Sequence, residues 1–135
     1  MTYLTHLQCA DCGLTHPSDA EQHLCSCGGI LLASYDLERI HREVPRSHIE
    51  SRPWHMGLWR YSELLPVQDP ANRVSLGEGT TPLLPLASLS SELGLDLRLK
   101  DEGLNPTGTF KARGAALGVS RAKELGARTI ALPTA

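Results

Sequence analysis

Lys111 lies in a turn-rich stretch that leads directly into a helix. The stretch reads Asn105-Pro-Thr-Gly-Thr-Phe-Lys-Ala-Arg-Gly114, in which proline and glycine predict a rigid turn and Thr107 or Thr109 can cap the helix. A helix N-terminus carries roughly half a positive charge, which disfavours an ammonium ion there. The pattern therefore favours a neutral primary amine, the form in which a lysine attacks a carbonyl to form an imine. An arbitrary lysine, by contrast, is usually a solvated surface residue.

Four cysteines form a second candidate site. They occur as Cys9-x-x-Cys12-Gly13 and Cys25-x-Cys27-Gly28-Gly29, a spacing that lets four thiolates bind one tetrahedral zinc ion at about 2.3 Å. Two disulfides or four unused thiols are the alternatives, but the first residues lack the pattern of a secretory signal peptide. Four protein ligands close the coordination shell, so the metal would fold the module and do no chemistry. His16 and His23, in the intervening arm, could replace a ligand, but with four cysteines present both are expected to be surface residues.

Composition narrows the classes of partner. The chain has 135 residues, 41% of them hydrophobic and 21% charged, and a net charge of -2, as in one ordinary globular domain. Its basic residues are scattered, which argues against nucleic acid or an anionic membrane as partner. No apolar run approaches the length of a bilayer-spanning helix. We expect a cytoplasmic protein.

Turn formers and apolar spacing divide the chain into three parts. Residues 1–36 form the cysteine module, with a closing strand at 31–35. Residues 37–75 form a connecting segment with short helices, one over 36–44 that ends at Pro45 and a packing helix over 58–65. Residues 76–135 begin with a loop at 76–84 that leads into an extended segment.

The third part has the pattern of a βαβ unit. Leu86, Leu89 and Leu93 have helical spacing before Gly94, and alternation over 95–99 predicts a strand. A helix from about Thr109 to Leu125 precedes a second predicted strand, Thr129 to Leu132. This order predicts a parallel α/β sheet with a right-handed crossover. Because parallel sheets are buried on both faces and the sequence stops after the second strand, we expect a truncated domain.

The lysine stretch, from Lys100 to Gly114, resembles the lysine motif of the fold-type II pyridoxal-phosphate enzymes, and of the threonine synthase family in particular. Other segments agree in order: the cysteine module through Asp36, Leu58-Trp-Arg-Tyr-Ser-Glu-Leu-Leu-Pro66, and Leu76-Gly-Glu-Gly-Thr-Thr-Pro-Leu83. The resemblance runs from Cys9 to Ala135. It implies a zinc-ribbon-like module followed by the start of a catalytic domain with the tryptophan synthase β-like parallel sheet.

The resemblance also implies residue roles. Lys111 would bind pyridoxal phosphate covalently and move protons at the substrate carbons, with Phe110 beside the cofactor. The approach for the substrate would be lined by Thr80, Thr81, Lys100 and Asn105, although a turn-stabilising hydroxyl explains the two threonines equally well. The implied reaction converts O-phosphohomoserine and water into threonine and phosphate. A homodimer of the full-length enzyme is compatible with the resemblance.

Two departures from the family pattern affect these expectations. The family commonly has aspartate directly after the lysine, where this chain has Ala112. The asparagine loop and the phosphate-binding loop of the family would follow Ala135, so we expect the chain alone to bind zinc, to hold the cofactor poorly and to turn over no substrate. Another fold-type II enzyme, cysteate synthase-like or dehydratase-like, and a non-catalytic zinc-ribbon module acting through protein contacts are the alternatives.

Overall fold

A three-stranded antiparallel sheet carries the cysteines. In the computed structural model, which describes residues 2–132, β1 (Leu4–Cys9) lies between β2 (Thr15–His16) and β3 (Leu31–Tyr35). The pairing places Leu7 opposite His16 and Cys9 opposite Leu31. The closing strand predicted at 31–35 is confirmed.

Two short helices follow the sheet. Helix α1 (Leu37–Glu43) begins after Asp36, whose carboxylate accepts the amide of Arg39 at 2.8 Å, as an N-cap residue does. Helix α2 (Arg46–Glu50) starts immediately after Pro45. The sequence therefore predicted α1 correctly and missed α2, whose five residues are too few to show a helical period.

The segment around Trp59-Arg60-Tyr61 packs as expected, but it forms a kinked 3₁₀ helix, Trp54–Leu64. Gly57 interrupts it with φ 53° and ψ -129°, a conformation that is almost restricted to glycine. Trp59, Leu65 and Val67 form the buried apolar cluster, and Leu117 packs against it. The packing helix predicted over 58–65 thus lies, apart from Leu65, within this 3₁₀ helix, which has a second non-helical residue at Tyr61 (φ -110°, ψ 32°).

Gly57 allows two chain segments to cross in contact. The amide of Leu58 donates to the carbonyl of Glu78 at 3.1 Å, and a Cβ atom on Gly57 would lie 2.4 Å from that carbonyl oxygen. The crossing fixes the 3₁₀ helix against the loop at 76–81. Only a residue without a side chain fits there.

We therefore expect Gly57→Ala to lower the free energy of unfolding by about 2–4 kcal/mol, from backbone strain and steric overlap together. Gly118→Ala is the matched control, since that position is helical and nothing lies within 4 Å of an added Cβ. The control should stabilise the chain by about 0.5–1 kcal/mol. Urea unfolding of both variants measures the difference, and equal stabilities would show that the crossing is not tight.

Two short antiparallel strands precede residues 101–110, which lead to Lys111 and are called the lysine loop below. Strand β4 (Leu83–Pro85) pairs with β5 (Arg98–Lys100), and helix α3 (Ala87–Leu93) connects them. Gly94 ends α3 in the left-handed conformation at φ 65°, as predicted. The strand expected at 95–99 is three residues long and lies at 98–100, because the amides of Leu95 and Leu97 donate back to Ser90 of α3, at 3.1 and 3.0 Å.

Helix α4 (Lys111–Glu124) is clamped to the segment 67–74. Ser120 is fully buried; its hydroxyl accepts the Val74 amide at 2.8 Å and donates to the Ala116 carbonyl at 2.7 Å. The Glu124 carboxylate accepts the amides of Gln68 and Asp69 at 2.8 and 2.7 Å. The helix predicted over Thr109 to Leu125 is confirmed apart from its ends.

The arm between the two cysteine pairs also contacts α4. Arg121 donates from Nη2 to the carbonyl of Ser18 and forms an ion pair with Glu124 through Nη1. Both side chains of this pair are largely buried, at 15% and 12% exposure. The cysteine module, through its arm, and α4 are therefore in direct contact.

The predicted βαβ unit is not formed. Residues 129–132 form no strand, and the strand pairs within residues 2–132 are antiparallel. Ile130, Leu132 and Leu99 stay 39%, 47% and 48% exposed, so the apolar neighbours that a parallel strand requires on both faces are missing around them. In this part of the chain, no helix is both long and apolar enough to cross a membrane.

Candidate cofactor and metal sites

Lys111 is the first residue of α4, and its side chain is exposed. A turn precedes it, in which the Gly108 amide donates to the Asn105 carbonyl at 2.8 Å. The Thr109 hydroxyl accepts the Lys111 amide at 3.2 Å, so one of the two predicted threonines does satisfy a free amide at this helix end. The amine is thus presented to solvent on a defined backbone.

Glu102, near the start of the lysine loop, and Arg113, after its end, form a bidentate ion pair. Arg113 donates from Nε to Oε2 at 2.7 Å and from Nη2 to Oε1 at 2.8 Å. The Thr81 hydroxyl donates to the same carboxylate, and the Asn105 side-chain amide donates to it at 2.9 Å. Arg113, then Thr81, therefore lower the pKa of Glu102 to about 2. The carboxylate stays ionised at any physiological pH.

Asn105 joins this network to the loop at 76–81. It is 4% exposed, and its Oδ1 accepts the Gly79 amide at 3.1 Å while its Nδ2 donates to Glu102. Glu78, 1% exposed, holds the other side of the loop by accepting the Ser75 hydroxyl at 2.9 Å and the Leu76 amide at 2.8 Å. Every buried polar group named here has a partner, as buried polar groups require.

An open cleft of about 340 Å³ lies against the network. Arg60 is 5% exposed and stacks on the Trp54 ring at 4.1 Å, with its Nη2 donating to the Ile49 carbonyl at 3.0 Å. The cleft combines aromatic, cationic and hydroxyl groups, which suits an anionic organic ligand. Its lining residues are Trp54, Arg60, Tyr61, Thr80, Lys100 and Arg113, together with Gly57 and Glu102.

The structure divides the residues expected at the substrate approach into two groups. Thr81 and Asn105 are buried in the Glu102 network, where they position the loops. Thr80 and Lys100 line the cleft, and Lys100 donates from Nζ to the Thr81 carbonyl. Phe110 is 64% exposed beside Lys111. Thr80 has φ 51°, a conformation that costs a residue with a side chain about 1–3 kcal/mol.

Ala112, named above as a departure from the family pattern, is buried at 6% exposure. It lines an apolar cavity of about 180 Å³ with Val74, Leu76 and Val119, and Glu78 contributes the carboxylate there. A second carboxylate in that position would be desolvated and would lie near Glu78, which is unfavourable for both. Alanine is therefore the residue that this packing accommodates.

The four cysteines form one cluster. Their sulfur atoms all lie within 4.8 Å of one another, with Cys9 to Cys27 at 3.5 Å and Cys12 to Cys25 at 3.6 Å. Tetrahedral coordination with metal–sulfur bonds of about 2.3 Å places sulfurs about 3.8 Å apart. The spacing of the four sulfurs is thus compatible with one shared metal ion.

The electrostatics of the cluster also fit a cation. The backbone amide of Cys27, followed by His16, lowers the pKa of Cys25 to about 5. The Gly29 amide lowers the pKa of Cys27 as well. The three other cysteines outweigh this effect and raise the pKa of Cys27 to about 12. A full set of thiolates thus forms only against their mutual repulsion, which a bound metal ion removes.

Comparison with known proteins bears on both sites. Residues 74–135, which contain the lysine loop and its network, match the sequence model of the family described as pyridoxal-phosphate dependent enzyme. The threonine synthase of Methanocaldococcus jannaschii is 45% identical over 124 residues, 91% of this chain and 30% of that protein. The chain is similar to threonine synthases. No solved structure gave a significant match.

Other threonine synthases give the same result. That of Methanosarcina acetivorans is 38% identical over 93% of this chain and 30% of its own length. That of Halalkalibacterium halodurans is 51% identical over 57% of this chain and 22% of its own length. The chain thus spans about 30% or less of the length of these threonine synthases. The two archaeal matches, at more than nine-tenths of the chain, extend into the cysteine module.

Sequence reasoning missed the residues that fix the loops. Glu102, Glu78, Arg60 and Arg113 were not singled out as site residues. Opposite charges on the two sides of the lysine loop, at Glu102 and Arg113, were the available signal. His16 was predicted to be a surface residue, which is wrong, because it is half-buried and its Nε2 lies 3.3 Å from Cys25 Sγ.

Proposed function

We propose that this chain contributes the cofactor lysine and a zinc-bound module to a threonine synthase-like enzyme, a pyridoxal-phosphate-dependent lyase. The enzyme would convert O-phosphohomoserine and water into threonine and phosphate, in the cytoplasm. The observation that carries the proposal is the placement of Lys111, exposed at the head of α4 on a loop that Glu102, Asn105 and Arg113 fix, in a chain similar to threonine synthases.

The residues around Lys111 leave space for the cofactor. Gly114 lies on the same helix one turn later, and nothing lies within 4 Å of a Cβ built there; Gly118 is equally open. A flat ring can therefore approach this side of α4 closely. When bound, pyridoxal phosphate supplies an electron sink for carbanion chemistry.

Each residue has a defined part in this proposal. Lys111 holds the cofactor through Nζ and afterwards moves protons at the substrate carbons, while Phe110 flanks the ring. Thr80 and Lys100 contact the substrate from the cleft. The substrate-binding role expected for Thr81 and Asn105 becomes indirect, since both orient the loops through Glu102.

The cysteine cluster would bind zinc through Cys9, Cys12, Cys25 and Cys27. Four sulfurs within 4.8 Å of one another support this, and soft thiolate ligands favour zinc over the hard cations. We further propose the division into a zinc module at 1–36, a connecting segment at 37–75 and the beginning of a catalytic domain at 76–135. Because the chain spans 30% of the archaeal threonine synthases, the 135 residues alone would bind zinc but would turn over no substrate.

A chimera tests the role of Lys111. The portion of the Methanocaldococcus jannaschii protein that the alignment covers is replaced by this chain, and the product is incubated with pyridoxal phosphate and reduced with borohydride. Mass spectrometry should find the cofactor on the peptide that contains Lys111. Threonine and phosphate should form from O-phosphohomoserine. Both signals should disappear in Lys111→Ala and Lys111→Arg.

Lys123→Arg is the matched control, because Lys123 is an exposed lysine on the same helix. Its Nζ donates to the Ala71 carbonyl at 2.9 Å. It should keep the label and the activity. Label retained in Lys111→Ala would contradict the proposed role of Lys111. Zinc uptake with no cofactor binding in the folded chimera would instead support a non-catalytic zinc module.

A further inference from the structure

His16 is held next to the cysteine cluster by the sheet. It lies in β2, and its backbone pairs with Leu7 in the central strand β1. Its side chain is half-buried, and Nε2 lies 3.3 Å from Sγ of Cys25. Cys25 itself is 4% exposed. The contact therefore joins two residues whose backbones are held by hydrogen bonds, His16 to β1 and Cys25 to Gly29.

His16 is a neighbour of the ligand set and not a member of it. The donor atoms that all lie within 4.8 Å of one another, among the described residues, are the four sulfurs. A thiolate has no hydrogen to donate, so a hydrogen bond between these atoms requires the hydrogen on Nε2. His16 then donates to the sulfur of Cys25, as outer groups around metal sites commonly do for the ligands.

Cys25 has a specific need for this contact. It belongs to the Cys25-x-Cys27 pair, which is one residue shorter than the Cys9-x-x-Cys12 knuckle. The Ser26 hydroxyl lies 3.9 Å from the Cys25 sulfur, further away than Nε2 of His16 at 3.3 Å. His16, held in β2 by its pairing with β1, therefore supplies the nearer donor to this sulfur.

We propose that His16 is a positioning residue of the metal site, which orients Cys25 by donating a hydrogen bond from Nε2 to its sulfur. The proposal rests on the metal site proposed above. Removal of such an outer partner typically weakens metal affinity by about 10–100-fold. His16 also draws electron density from the sulfur, so the metal–sulfur bond itself should change.

The test compares three variants of the whole chain, each loaded with zinc or with cobalt(II). His16→Leu removes the donor, His16→Gln retains an N–H donor, and His23→Leu is the control, since His23 lies in the same arm with an 85% exposed side chain. Competition with a chromophoric chelator gives zinc affinity, and the sulfur-to-cobalt charge-transfer band reports the bond. X-ray absorption of the zinc form counts sulfur and nitrogen ligands.

We expect His16→Leu to lose about 10–100-fold in zinc affinity and to shift the charge-transfer band, with His16→Gln closer to the wild type and His23→Leu unchanged. The wild type should show four sulfur ligands and no nitrogen. His16→Leu behaving as His23→Leu does would overturn the proposal, as would a nitrogen ligand in the wild type. If the wild type binds no zinc, the proposed metal site itself is wrong. That result is distinct from a wild type that binds zinc with an affinity that does not depend on His16.

Discussion

Cys25→Ser should abolish zinc binding and expose the whole N-terminal sheet to solvent exchange. Among the described residues before 37, the buried apolar side chains are Cys9 and Cys25, at 2% and 4% exposure. The sheet therefore has almost no apolar core of its own, and in the proposed zinc-bound form the metal would take its place. Hydrogen exchange in β1 and β3 should rise to the rate of unstructured peptide, both in this variant and after chelation of the wild type.

Ser26→Ala is the matched control, because it changes a hydroxyl beside the same sulfur but removes no ligand. It should keep one zinc per chain and the protection of β1. Helix α4 provides an internal reference in the same experiment, since its clamp through Ser120 and Glu124 does not involve the cysteines. Protection of β1 that survives full removal of zinc would show that the sheet folds without metal.

Glu102→Gln should destabilise the lysine loop at neutral pH and remove most of its sensitivity to acid. The substitution keeps the shape of the side chain but deletes the charge that Arg113 binds through two hydrogen bonds. Arg113 is then left partly desolvated without its counter-charge, which is unfavourable. Exchange protection of residues 105–114 and urea unfolding at neutral pH should both decrease.

The pH dependence has a definite sign. Arg113 and Thr81 lower the pKa of Glu102 from its ordinary value of 4.5 to about 2, so the folded state binds this proton less readily than the unfolded state. Its contribution to stability is complete above pH 4.5 and is lost as the pH falls towards about 2. The difference in stability between wild type and Glu102→Gln should therefore be constant at higher pH and shrink across that range.

Glu92→Gln is the control, because Glu92 is an exposed carboxylate on α3. Its stability curve should follow the wild type at each pH. Glu63, whose pKa Arg52 lowers, contributes acid sensitivity equally to all three proteins, so it cancels in the comparison. A difference between wild type and Glu102→Gln that stays constant down to the lowest pH would mean that the carboxylate has no special role.

Local elements could be predicted from the sequence because local residues determine them. Helix α3 with its terminal Gly94, helix α4 and strand β3 all followed from periodicity and turn residues. The strand expected at 129–132 was wrong, since a parallel strand depends on partners far away in the sequence. The kink in the Trp54–Leu64 segment was missed because Gly57 there contacts Glu78, a residue from a separate loop.

The sites divide in the same way. The cysteine cluster was predictable because four ligands with fixed spacing need no knowledge of the tertiary fold. The position of Lys111 at a helix start was equally local. The partners of Glu102 were not, since Thr81 comes from a separate loop 21 residues earlier. His16 was misassigned because its contact with Cys25 depends on the register of β2 against β1.

The strained loop at 76–81 has a thermodynamic consequence for any molecule that enters the cleft. Glu78 and Asn105 hold this loop from both sides, and Thr80 keeps its unfavourable φ of 51° within it. Its conformational entropy is therefore lost when the chain folds, before a ligand arrives. A ligand that binds in the cleft therefore orders little additional backbone in this loop. The remaining entropy loss falls on exposed side chains such as Trp54, which is 71% accessible at the rim.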